Sequence, residues 1–241
     1  MTQNPHRVSR GCLRGAAVAL VCGMLLGGGA AAVAQQEVVP PKPTVPEVFT
    51  LMGEFVRVAY DNRGFVTLGY RVAQGSVGGE WMLLEVGLTV REPVKNFTLK
   101  REHLSLKTPD GATIALASQE EYAKADEVRG LNSLAKASRD KINYFPVEVM
   151  RTVPLKFFAN PGEGGSQLSY DQVELGSDRA ALGRIYFHVP GGIKVGQHWL
   201  IVRFGESEVQ VPFRILTKEE EKEFRKSWQE IKKGHDASLG H

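Results

Sequence analysis

The segment Trp81-Met82-Leu83-Leu84-Glu85-Val86-Gly87-Leu88-Thr89-Val90 is apolar at nearly every position. A strand with one face in water alternates apolar and polar side chains, whereas a strand covered on both faces does not. The run is therefore predicted as the centre of a sheet. That forces the rest of the chain to supply flanking strands and a cover for each face.

The neighbouring segments carry strand signals. Phe55-Val56-Arg57-Val58-Ala59-Tyr60, the turn Asp61-Asn62-Arg63-Gly64 and the run Phe65 to Val72 read as a hairpin. A second hairpin is expected from Leu104 to Thr108 and Thr113 to Leu116, around Pro109-Asp110-Gly111. Strand character returns at Val147 to Phe158, after which Pro161 to Ser166 makes an exposed loop, and at Tyr170 to Leu175. It continues through Arg184 to Val189, Trp199 to Phe204 and Glu208 to Ile215, with Pro190-Gly191-Gly192 as a turn. Short strands at roughly 8–12-residue spacing predict a mainly β chain, an antiparallel sandwich rather than an α/β fold. Pro212 places its strand at an edge or a bulge.

Two helices interrupt this pattern. Ser118 with Glu121 forms a capping-box signature, and Tyr122, Ala125, Val128, Leu131, Leu134 and Ala137 recur every three residues. This predicts a helical insertion over about 118–142, broken near Gly130 and ended before Pro146. At the C-terminus, Thr217 and Glu220 form another capping box. Acids fill the first turn, Lys232 and Lys233 the last, and Gly234 follows. A helix over about 218–233 is expected, with a frayed tail to His241. Its apolar residues Phe224, Trp228 and Ile231 form one narrow stripe on a charged cylinder.

The N-terminus reads as a processing signal. Arg7, Arg10 and Arg14 precede an apolar run from Ala16 to Leu26, then Ala32-Val33-Ala34 supplies an A-x-A site. Cleavage is expected after Ala34, because the run is well short of the roughly 18–20 residues that span a bilayer. The domain plan is a signal over 1–34, a Pro-rich spacer over 35–47, a β-sandwich over 48–216 and a C-terminal helix and tail over 217–241. Of the precursor's 30 basic and 27 acidic side chains, three arginines and no acid lie in the signal. The remainder carries no net charge. Both cysteines, Cys12 and Cys22, also lie in the signal, and neither has the order of a lipid-attachment motif. The mature chain is thus without thiol chemistry or disulfides, and its expected location is periplasmic or secreted.

Composition and motifs exclude several functions. Zero net charge and the lack of a basic cluster argue against nucleic-acid binding. No Gly-x-Ser-x-Gly elbow, phosphate-binding loop or dinucleotide fingerprint occurs. His188 and His198 flank the Pro190-Gly191-Gly192 turn and would face each other across a hairpin, yet a metal site needs three or four ligands. No metal, cofactor or catalytic residue is assigned. Trp81 and Trp199, within apolar strands, are expected to be buried. Paired carboxylates leave no linear signature, so an extracytoplasmic hydrolase acting on an envelope polymer is the rival reading. An apolar cavity between the sheets would instead mark a small-ligand carrier.

Leu104-Ser105-Leu106-Lys107-Thr108-Pro109-Asp110-Gly111, the helical insertion, and Ala181-Leu182-Gly183-Arg184-Ile185-Tyr186-Phe187-His188-Val189-Pro190 resemble bacterial extracytoplasmic immunoglobulin-like domains of uncharacterised function, over about residues 53–215. Thr108 stands where an acid is common in that group. The resemblance implies an immunoglobulin-like sandwich that binds or scaffolds, and it transfers no catalytic residue. The functional expectation is a non-enzymatic module that engages an envelope protein or itself. Phe224, Trp228 and Ile231 form the candidate partner surface, set against the alternative that this stripe packs on its own sandwich.

Overall fold

The computed structural model describes residues 47–50, 54–138, 140–159 and 168–239, with side chains from Glu54 to Ile231. The expected signal, its expected cleavage site, most of the expected spacer and the loop expected at 161–166 lie outside the described residues. The chain is a mainly β sandwich with a helical insertion and a C-terminal helix. One sheet has the order β1 (Glu47–Thr50), β2 (Val56–Tyr60), β3 (Gly64–Gly69), β4 (Trp81–Val90), β10 (Arg179–His188), β9 (Gln172–Gly176), β5 (Asn96–Lys100), with β8 (Arg151–Leu155) beside β10; the other has the order β12 (Ser207–Ile215), β11 (Gly196–Phe204), β6 (Leu104–Lys107), β7 (Thr113–Ala115).

The first hairpin is β2 (Val56–Tyr60) with β3 (Gly64–Gly69), and β1 (Glu47–Thr50) pairs with β2 at one edge. β4 (Trp81–Val90) is buried at all ten positions and lies between β3 and β10 (Arg179–His188). Its two faces serve different cores. Met82, Leu84, Val86, Leu88 and Val90 point into the sandwich, while Trp81 and Leu83 join a second cluster with Tyr122, Val128, Leu131, Ala135 and Tyr186 outside it. The absence of alternation in this strand is therefore the signature of two covers.

The smaller sheet shows the opposite pattern. In β12 (Ser207–Ile215), Val209, Val211, Phe213 and Ile215 are buried, and Glu208, Gln210 and Arg214 are exposed. It pairs with β11 (Gly196–Phe204), which pairs with β6 (Leu104–Lys107), next to β7 (Thr113–Ala115). β12 is an edge strand, one of the two placements that Pro212 allows. On the solvent face of β11, Trp199 is half-exposed, with the Lys107 ammonium 5.3 Å from its ring centre. This corrects its expected burial: alternation puts it opposite Leu200.

Several expected boundaries move. The strand predicted to run through Val72 stops at Gly69, and Arg71–Gln74 form a short helix, α1, which buries Val72, Ala73 and Gln74. Of the stretch 147–158, only β8 (Arg151–Leu155) is strand, and it runs parallel to β10. β9 (Gln172–Gly176) pairs with β5 (Asn96–Lys100).

The insertion consists of α2 (Gln119–Lys124) and α3 (Glu127–Ala137). The Ser118–Glu121 capping box is present. The break falls at Ala125, which is extended, rather than at Gly130, which is exposed within α3. A helical glycine costs about 1 kcal/mol, a loss that burial of Val128, Leu131 and Ala135 outweighs. A three-residue repeat also drifts off a 3.6-residue turn, so Leu134 ends up 52% exposed and Ala135 takes its place in the core.

Residues 140–146 then cross the outer face of the larger sheet. The Arg71 guanidinium clamps Asp140 through two 2.9 Å hydrogen bonds, and the Thr67 hydroxyl donates to the Tyr144 carbonyl. Phe145 lies over Gly87, where a β-carbon would meet its ring at 2.6 Å. Arg101 ties the far side down, donating to the carbonyls of Phe157 and Ala117.

Candidate functional site

The C-terminal helix α4 runs from Lys218 to Leu239, beyond the expected stop at Gly234. The tail expected to fray after His235 is therefore mostly helical, because glycine weakens a helix without forbidding it. Its start is held by local and distant groups. Thr217 and Glu220 close their capping box, and Arg214 donates to Glu220 at 2.7 Å. The Thr217 N–H and the Arg214 guanidinium hold the Glu220 carboxyl below the ordinary glutamate range. Gln74 binds both peptide groups of Leu216 and reaches Glu221 at 3.2 Å.

The three residues of the predicted stripe meet different surroundings. Phe224 sits 6.2 Å from the buried ring of Phe55, and Trp228 stacks 6.3 Å beyond Phe224. Trp228 is half-buried and Ile231 is 62% exposed. Among the described residues, no other helix or strand runs alongside α4 for more than a brief contact. Thus the domain covers Phe224 and Trp228 in part and leaves Ile231 in water.

A second site lies where the insertion meets the larger sheet. Glu85 on β4 and Arg184 on β10 are registered neighbours on its outer face, with Arg184 Nε 3.4 Å from Glu85 Oε1. Arg184 Nη1 donates to Asn132 Oδ1 at 3.3 Å, the Tyr186 hydroxyl donates to the same oxygen at 2.6 Å, and Asn132 Nδ2 donates to the Tyr122 hydroxyl at 3.2 Å. Burial, reinforced by Tyr122, pushes the Tyr186 hydroxyl far above the ordinary tyrosine value and keeps it a donor. These groups line a recess of about 220 Å³ with Ile142, Leu155, Phe158 and Leu182. Sequence reading missed it, although the signal was present: Glu85 is the one charge in a strand covered on both faces, and such a charge requires a partner.

The histidines do not converge. His188 belongs to the larger sheet, packs with its ring centre 5.2 Å from that of Trp81 and lies 3.7 Å from Glu80. His198 belongs to the smaller sheet, where it is fully buried against Phe213 with Nδ1 3.1 Å from the Gly196 carbonyl. Their expected hairpin does not form, because the chain changes sheets between β10 and β11. No group of three metal-ligating side chains occurs among the described residues. The two buried acids there, Asp61 and Glu85, stand at opposite ends of β3, and Asp61 is held by Arg63, Gly64 and Ser207. They do not form the paired carboxylates of a glycosidase.

A mostly apolar recess of about 230 Å³ lies between the β6–β7 turn and the β10–β11 connection, with Asp110 and Lys194 on its walls. Among the described residues, no helix is long and apolar enough to cross a membrane. Comparisons with family models, curated proteins and solved structures found no match. The functional reading rests on the residues themselves.

Proposed function

We propose that this chain is a non-enzymatic binding or assembly module of the bacterial periplasm or exterior, related to the extracytoplasmic immunoglobulin-like domains that it resembles. It engages an envelope protein or a second copy of itself through α4. The supporting observation is the exposed end of the stripe: Phe224 rests on Phe55 and Trp228 on Phe224, both partly covered, whereas Ile231 is 62% exposed on a helix that continues to Leu239. An aromatic and a branched aliphatic side chain on a charged helix suit a groove-binding helix, whose anchors recur at i, i+3 and i+4. The leader-like N-terminus supports the location.

Deletion of residues 225–241 tests the reading, with melting temperature and association followed together. Association is read by crosslinking to envelope fractions and by sedimentation of the purified protein. The expected result is loss of association with little change in melting temperature. A large fall in melting temperature with no association to lose assigns the stripe to the domain's own packing and overturns the reading.

A further inference from the structure

Stability does not account for the ion pair beneath the insertion. Glu85 and Arg184 share their face with Leu83, Leu182 and Tyr186, where an apolar pair would pack without desolvating two charges. Replacing a buried ion pair by apolar residues of similar volume is often neutral or stabilising. Nor is Arg184 fully used. The Glu85 side chain is 9% exposed and that of Arg184 24%. Arg184 spends Nε on Glu85 and Nη1 on Asn132, and its Nη2 donors have no partner among the described residues.

The recess beside this pair has room for about seven waters at about 30 Å³ each. That is below the roughly 300–1,000 Å³ of drug-sized sites. Its walls combine an unspent cationic donor, a carboxylate and the apolar surfaces of Ile142, Leu155 and Phe158. An anion alone would meet the field of Glu85, and a cation alone that of Arg184.

We propose that the recess binds a small zwitterion, a free α-amino acid with a short apolar side chain. Its carboxylate accepts from Arg184 Nη2, its ammonium donates to Glu85, and its side chain lies against the apolar wall. Asn132, fixed by the Tyr186 hydroxyl, positions the guanidinium from the insertion side, so the ligand also couples the insertion to the sheet. The site is independent of the α4 surface.

Calorimetric titration of the purified protein with L-alanine, sodium acetate and methylammonium chloride tests this. Alanine is expected to bind at least tenfold more tightly than either fragment. Glu85→Gln, nearly isosteric, is expected to weaken alanine binding about tenfold or more, the scale of a hydrogen bond to a charged group. Arg184→Met is expected to abolish it. Circular dichroism confirms that each variant is folded, and where Arg184→Met does not fold, Glu85→Gln decides. Equal binding of alanine and its fragments, no binding of any of them, or alanine binding unchanged in folded Glu85→Gln overturns the proposal.

Discussion

Gln74 and Leu216 bind each other through both halves of a peptide-like pair, with the Leu216 N–H donating to Gln74 Oε1 at 2.8 Å and Gln74 Nε2 donating to the Leu216 carbonyl at 3.0 Å. The side chain replaces the backbone partner that Leu216 loses on leaving β12. Because Gln74 is buried and Leu216 half-buried, removing it leaves two partly covered peptide groups without their partner. Gln74→Leu is expected to cost about 1–3 kcal/mol in urea unfolding and to alter the emission of Trp228. An unchanged unfolding midpoint would refute this role for Gln74.

Two glycines are expected to respond to alanine with opposite signs. At Gly183 a β-carbon would fall 2.4 Å from the Leu155 carbonyl oxygen on the parallel neighbour β8. Backbone must move there, so Gly183→Ala is expected to destabilise by about 1–3 kcal/mol. Gly130 is helical and has nothing near its missing β-carbon. Gly130→Ala is expected to stabilise by about 0.4–1 kcal/mol. Urea midpoints of the two variants, measured side by side, check both signs.

His198 makes stability sensitive to mild acid. Burial lowers its pKa below the ordinary histidine value, outweighing the Gly196 carbonyl and Asp110, which favour the charged form. Between that depressed value and about 6.5, the unfolded chain binds a proton that the folded chain refuses. Stability is therefore full above this window and falls as pH drops through it. His198→Phe, which retains an aromatic ring beside Phe213, is expected to flatten the melting temperature between pH 7 and pH 5. An equally steep profile in the variant would place the effect elsewhere, with His103, also lowered by burial, as the next group to test.

Asp110 behaves in the opposite sense. Lys194, at 2.8 Å, and the Thr108 hydroxyl hold its carboxyl at about 2. Its contribution is present above the ordinary carboxylate range and is lost as pH falls toward 2. The pair is exposed, so salt screens it. Carboxyl-resolved NMR titration is expected to show the low value, with an upward shift in Lys194→Ala and a smaller one in high salt. Titration in the ordinary aspartate range without any variant would remove the Lys194 contact from solution.

Local rules were legible wherever the determining groups lie within a few residues. The capping boxes at Ser118 and Thr217 close as their spacing requires, and the hairpins around Asp61 and Asp110 pair as the turn residues direct. The apolar stripe of Phe224, Trp228 and Ile231 was also legible, though not its division at Phe55. That division depends on a ring 169 positions earlier in the chain.

The amino-acid sequence by itself determined that β4 is central, that the chain is a mainly β sandwich with helices capped at Ser118 and Thr217, and that Pro212 limits its strand to an edge or a bulge. Periodicity, propensity and capping act through neighbours along the chain, and they are readable without coordinates. Only the tertiary structure decided which strand faces the insertion, that His188 and His198 part into different sheets, and that Glu85 finds Arg184 across 99 positions. Those outcomes depend on packing between distant segments, where register and layer choice are set by the whole core at once.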